Sequence, residues 1–122
     1  MILVDTSVWI DHFRKSDPKL ELFLLEREIL IHPFILGELS LGYLPKREEA
    51  LTFLELQLSA SPATDEEVLS WVEKHRLYGK GIGWVDAHLL LSSLLSHAEF
   101  WTHDKTLLSA AHSCGVKTPT RH

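Results

Sequence analysis

Residues 2–13 read ILVDTSVWIDHF. The three apolar residues at 2–4 are too few for a buried helix and fit a short buried strand. The run then breaks at the carboxylate of Asp5, and a helical pattern starts near Ser7 and reaches about Arg14. A continuous apolar strand feeding a helix is the repeating unit of α/β domains, whose parallel strands are covered on both faces. In that arrangement the carboxyl end of the strand lies at the sheet edge where ligands bind, and Asp5 is the first residue there.

The same alternation continues along the chain. Asp17 and Pro18 supply a cap and a first-turn proline for a second helix through about Arg27. EILIH, residues 28–32, reads as a second strand, and Pro33 opens a helix to about Tyr43. Pro45 breaks that helix, and KREEALTFLELQL, residues 46–58, follows as an amphipathic one. Residues 59–62 give a marginal third strand. TDEEVLSWVEKHRLYG places acids in the first turn and bases in the last, which suits a helix dipole, and is expected to stop at Gly79. A glycine-punctuated loop leads to a helix from about Trp84 to Ser96; EFWT reads as a fourth strand, a last helix runs from Lys105 to about His112, and GVKT adds an edge strand. The expectation is a single domain over residues 1–122, an α/β fold with a short, mainly parallel sheet.

The composition suits such a domain. Of 122 residues, 45% are hydrophobic and 24% charged, as in ordinary globular proteins. Cys114 is the single cysteine, so no internal disulfide forms and a reducing, cytoplasmic setting is expected. The start lacks the basic segment of an export signal, and the apolar stretch near HLLLSSLL falls far short of a membrane span. Neither export nor a membrane partner is expected. The formal charge of −5 argues against nucleic acid only if the acids are spread evenly; setting aside four carboxylates at one cation site leaves −1.

Four acids map to the ligand-binding edge: Asp5 after strand one, Glu38 in the helix after strand two, Asp86 in the first turn of a later helix, and Asp104 just past strand four. Taken singly, Asp5 and Asp104 read equally as helix caps and Asp86 as a dipole partner. Glu38 has Phe34, Ile35, Leu41 and Gly42 as its helical neighbours, an apolar face on which a glutamate has to be neutral, paired or bound to a cation. One divalent site accounts for all four acids, because packed carboxylates otherwise repel and take up protons. Oxygen donors select a hard ion, Mg2+ or Mn2+, over zinc. In GIGWVDAHLL, residues 81–90, Gly81 and Gly83 are expected to bring backbone close to this cleft.

LVDTSVWIDHF, GELSLG, GIGWVDAHLL and WTHDKTL, in this order and spanning nearly the whole chain, resemble the PIN-domain ribonucleases, most closely the small bacterial toxins called VapC. The resemblance implies a three-layer α/β/α sandwich and a metal-dependent endoribonuclease that hydrolyses RNA by metal-activated water, leaving a 5′-phosphate and a 3′-hydroxyl. It also implies a cognate antitoxin protein as inhibitor and a homodimer. Asp5, Glu38, Asp86 and Asp104 match the family's acidic quartet, with Asp5 and Asp104 on the principal ion. Thr6 and Thr102 match hydroxyl residues that orient carboxylates or water. Some members carry a further acid where this chain has Leu90, Leu107 or Leu108, which bears on a second ion.

Other features weigh less. The eight histidines form no zinc-spaced cluster, and His112 with Cys114 reads as incidental. His88 and His103 adjoin site acids but read first as packing or surface residues. Lys46, Arg47, Lys74, Arg76 and Lys80 are candidates for phosphate contacts, with a solvated helix surface as the plainer reading. The stripes Trp9, Ile10, Phe13 and Leu20, Phe23, Leu24 are core by default, and part of that surface could take an amphipathic antitoxin helix. The all-round apolar helix 85–95 is either internal or buried in a homodimer. The rival readings are a magnesium-binding receiver domain, which wants paired acids after strand one and an aspartate ending a central strand, and a catalytically silent PIN fold that only binds RNA or protein. A haloacid-dehalogenase-type phosphatase needs a second aspartate where Ser7 stands.

Overall fold

The structure, a computed structural model, describes residues 1–119. Strand β1 (Ile2–Val4) has no solvent exposure at any residue. It pairs in parallel with β2 (Ile29–Ile31) on one side, Ile2 opposite Ile29, and with β4 (Glu99–Trp101) on the other, Leu3 opposite Phe100. The short β3 (Leu58–Ser59) pairs in parallel outside β2, giving the order β3-β2-β1-β4. Successive side chains of a strand point to opposite faces, so the complete burial of β1 and β2 requires cover on both sides of the sheet. Seven helices among the described residues supply it: α1 (Thr6–Arg14), α2 (Pro18–Leu25), α3 (Pro33–Ser40), α4 (Arg47–Glu55), α5 (Asp65–His75), α6 (Trp84–Leu95) and α7 (Lys105–Ser113). The expected α/β/α sandwich is the observed architecture, and its four strands are all parallel.

The chain moves from β1 outward through β2 to β3 and then returns to place β4 on the opposite side of β1. This reversal opens a crevice beyond the carboxyl ends of β1 and β4. Asp5 follows one of these strands, and Thr102 to Asp104 follow the other.

Several elements end earlier than their patterns suggest. Helix α3 stops at Ser40 rather than Tyr43, because Leu41 and Gly42 donate to the carbonyls of Glu38 and Leu39 and tighten the last turn. Helix α5 stops at His75 rather than Gly79, with Arg76 left-handed at φ 54°. Helix α2 ends at Leu25, and Arg27 is left-handed at φ 55°. Residues 116–119 form no strand; Phe100 N donates to the Lys117 carbonyl at 2.8 Å, and Val116 is buried in the core. The apolar helix α6 is internal to one chain, since Ala87 to Ser93 are all buried, so its composition no longer argues for a dimer. No helix among the described residues is long and apolar enough to cross a membrane.

The left-handed residues closing α5 and α6, Arg76 and His97 (φ 52°), carry side chains where glycine is the usual choice. Arg76→Gly and His97→Gly are each expected to raise unfolding free energy by about 0.5–1 kcal/mol, read as a higher urea midpoint.

Candidate functional site

The carboxylate of Asp5 is 7% exposed and lies where β1 meets α1. Its backbone N–H donates to the Trp101 carbonyl at 2.8 Å, tying the ends of β1 and β4 together, and its carbonyl accepts from Val8 and Trp9 to start the helix. The side chain makes no cap bond. Instead Oδ2 accepts from the hydroxyls of Ser7 (2.9 Å) and Thr102 (2.7 Å). Thr102 Oγ1 also accepts from Asp104 N at 3.0 Å, and Ser7 Oγ accepts from His103 N at 3.0 Å. These bonds lock residues 5–7 onto residues 102–104. A side-chain helix cap explains Asp5 poorly, because its carboxylate is aimed at one hydroxyl from the first turn of α1 and one from the end of β4.

Asp104 is a real cap: Oδ1 accepts from Leu107 N at 3.1 Å at the start of α7. That bond orients the group and leaves the second oxygen for a ligand. Asp86, half-buried in the first turn of α6, accepts from Gly83 N at 3.0 Å. Burial pushes its carboxyl pKa up; the Gly83 N–H opposes this, and the negative charges of Asp5 and Asp104 add to the rise. Asp5, Asp86 and Asp104 therefore share one electrostatic field at the strand reversal.

Glu38 departs from expectation. Its carboxylate is exposed rather than buried on an apolar face, because Phe34 and Leu41 beside it on the helix are themselves exposed while Ile35 and Leu39 turn inward. The desolvation argument therefore does not apply to it. Its place is set by Thr6, the residue after Asp5, whose hydroxyl donates to Oε1 at 3.0 Å. The two glycines also differ. Gly81 is left-handed at φ +78°, which favours glycine, and a Cβ there would stand 3.3 Å from Thr106 Cγ2, a tight contact with the start of α7. At Gly83 a Cβ would meet only Asp86 Oδ2 at 3.8 Å, an ordinary contact, so no close approach depends on it.

Among the described residues no three His, Cys, Asp or Glu side chains form a ready-made metal cage. The donors that share the field are carboxylate oxygens with no thiol or imidazole among them. Such a set suits a hard cation that keeps several of its own waters better than a tetrahedral zinc. Leu90 and Leu107, two of the places where some PIN proteins have a further acid, are buried in the core.

The residue that sequence reasoning undervalued is Ser7, weighed only as a missing aspartate. Its signal was present in DTS, where the third residue lies on the first helical turn beside the carboxylate. Several of the histidines have structural partners. His103 Nδ1 pairs with Asp11 at 2.6 Å, and buried His88 pairs with Asp65 at 2.8 Å between the rings of Phe34 and Trp84. His112 bonds Thr118, and the buried thiol of Cys114 contacts the Ala111 carbonyl, so neither is directed to a shared ion.

His32 caps α3 by accepting from Phe34 N at 3.0 Å, and its pKa is lowered to about 4 by burial and then by His88. The folded state disfavours the protonated ring relative to the unfolded chain. The stability this group contributes is therefore complete above pH 6.5 and is lost as pH falls from 6.5 toward 4. His32→Asn keeps a capping acceptor without a titration, and is expected to flatten the fall in melting temperature over that window. An unchanged slope would assign the acid sensitivity to other groups.

A receiver domain is disfavoured by this geometry: no second acid follows β1, and β3, at the sheet edge, ends at Ser59. The sequence profile of the PIN domain matches residues 2–112. The chain is 44% identical over 117 residues to a ribonuclease named VapC32 from Mycobacterium tuberculosis, covering 95% of this chain and 94% of that protein. In shape it is similar to PAE2754 from Pyrobaculum aerophilum, with a TM-score of 0.61 at 18% identity over 89% of this chain and 78% of that one. It is also similar to the FitAcB structure from Neisseria gonorrhoeae, with a TM-score of 0.60 at 19% identity over 97% and 96% of the two chains. A wholly parallel sheet with aspartates beyond two adjacent strand ends, matched along almost its full length, makes this chain a member of the PIN-domain family, of the VapC ribonuclease type.

Proposed function

We propose that the protein is the toxin of a bacterial toxin–antitoxin pair, an endoribonuclease that hydrolyses RNA phosphodiester bonds with Mg2+ or Mn2+ and is inhibited by a cognate antitoxin. The observation that carries this reading is the shared field of Asp5, Asp86 and Asp104 at the strand reversal. Asp5 and Asp104 would hold the principal ion, and Asp86 and Glu38 would complete its shell directly or through water. A bound divalent cation lowers the pKa of an attacking water and offsets charge on the attacking and leaving oxygens.

The chain's own residues supply position. Ser7 and Thr102 fix the orientation of the Asp5 carboxylate, the α7 cap fixes Asp104, and Thr6 fixes Glu38. Burial, and after it the charge of Asp5 and Asp104, makes Asp86 hold a proton more readily than an isolated aspartate, and a cation between them would offset the second of these causes. A cytoplasmic homodimer completes the reading. For the antitoxin we assign the cleft of about 290 Å3 between α1 and the segment after α3, where Ile10, Phe13, Leu39 and Tyr43 surround an apolar floor beside Glu38. Trp9 and Leu20 are fully buried core and do not belong to that surface.

The test is direct. Protein purified free of antitoxin is expected to cut RNA with Mg2+ or Mn2+, to stop on adding a chelator, and to recover when the ion is restored. Cutting that persists in the chelator would overturn the metal-dependent mechanism, and no cutting with either ion would leave a silent PIN fold.

A further inference from the structure

Resting on the ribonuclease reading, we infer that the cleft between the 79–83 loop and α7 is a second RNA-binding element, a subsite for a backbone phosphate next to the bond being cut. The cleft has a volume of about 490 Å3 and is lined by Lys80, Lys105, Thr106, Ser109, Ala110 and Ser113. Its polar lining is two ammonium groups and three hydroxyls, with no carboxylate. Among the described residues neither lysine makes an ion pair, and Lys80 Nζ instead reaches Ser113 Oγ at 3.3 Å. Ser113 Oγ in turn donates to the Ala110 carbonyl at 2.8 Å, so its hydroxyl is oriented with a lone pair toward the lysine.

The position follows from the same elements that build the acidic site. Lys105 directly follows Asp104, and the loop that carries Lys80 presses Gly81 against Thr106 before running into Asp86. Asp104 and Asp86 thus lie at the two chain segments that border the cleft. A cluster of carboxylates on a chain of formal charge −5 repels a polyanion unless unpaired cations stand close by. Lys105 and Thr106 stand in the first turn of the nine-residue α7, and Ser109, then Ser113 with Lys80 bonded to it, continue the lining along the helix to its last turn, a run of hydroxyls and ammonium groups that suits the phosphate oxygens of a nucleic-acid backbone. Because these groups see only backbone charge, the subsite would position RNA without selecting its sequence.

The experiment measures binding of a fluorescent single-stranded RNA to Asp5→Asn protein in chelator, across a range of salt concentrations, beside a cleavage assay of the wild type. Adding Lys80→Gln with Lys105→Gln is expected to weaken binding roughly tenfold and to make the log–log salt dependence shallower by about 0.7 per lysine. Ser109→Glu, an exposed position, is expected to weaken binding to a similar extent by placing a carboxylate in the cleft. The comparison pair Arg27→Gln with Lys15→Gln removes the same charge elsewhere, at exposed positions, and is expected to have a smaller effect. A lysine pair that loses no more than the comparison pair, with wild type still cutting RNA, overturns the subsite alone. If wild type neither cuts nor binds RNA, the ribonuclease reading falls and the subsite with it.

Discussion

Replacing Asp5 with asparagine is expected to lower RNA cleavage by roughly a thousandfold while leaving the protein folded. The two side chains have nearly the same volume, and the asparagine oxygen can still accept from Thr102 or Ser7, so the 7%-exposed position keeps hydrogen-bonded cover. What is lost is the charge, and it is lost at the centre of the acidic group. An ion held by Asp5 and Asp104 would lose one of its anionic ligands, and Asp86 would lose one of the neighbours that raise its pKa. The measurement is initial cleavage rate at saturating Mg2+, with a melting curve on the same sample. Full activity in a folded variant would place the chemistry elsewhere on the molecule.

The second large effect belongs to Thr102, which is not itself a proposed ion ligand but bonds directly to both of the principal ones. Its hydroxyl donates to Asp5 and accepts from the backbone N–H of Asp104, so it sets both carboxylates at once. Thr102→Val preserves shape, leaves Asp5 with Ser7 as its one hydroxyl donor, and leaves the Asp104 N–H without its acceptor. The expected loss is about 10- to 100-fold in activity, with about 1–3 kcal/mol in stability. A purely structural defect would lower stability without changing the ion requirement; a positioning role also raises the Mg2+ concentration needed for half-maximal rate. Thr102→Ser restores the hydroxyl and is expected to recover most of both.

Strands β1, β2 and β4 and the acids beyond β1 and β4 were legible because both are local, whereas the strand expected at 59–62 lies at Leu58–Ser59 and the one expected at GVKT does not form. ILV followed by an acid, and EFW followed within three residues by another, carry strand, junction and carboxylate in one short window. Helix ends were less legible. Arg27 and Arg76 close their helices in a left-handed conformation without the glycine that ordinarily marks it, so the patterns ran on past the true stops. Glu38 became a candidate on a reading that its exposure overturns: helical periodicity placed it beside apolar residues, but which of these face solvent depends on packing that periodicity does not contain. Ser7 and Thr102 could not be paired from the sequence at all, since their contact depends on β4 docking beside β1.

That last contact has a consequence for synthesis. Ser7 and Thr102 are 95 positions apart, and β1 waits for β4, the last strand of the sheet among the described residues, to close its open side. A nascent chain emerging from the ribosome can therefore assemble helices and the β1–β2 pair while Asp5 still lacks Thr102 and Asp104 beside it. Until β4 docks, the Asp5 carboxylate has Ser7 but not Thr102 as a hydroxyl partner, so the acidic edge is completed by a late step of folding rather than by the assembly of its own half.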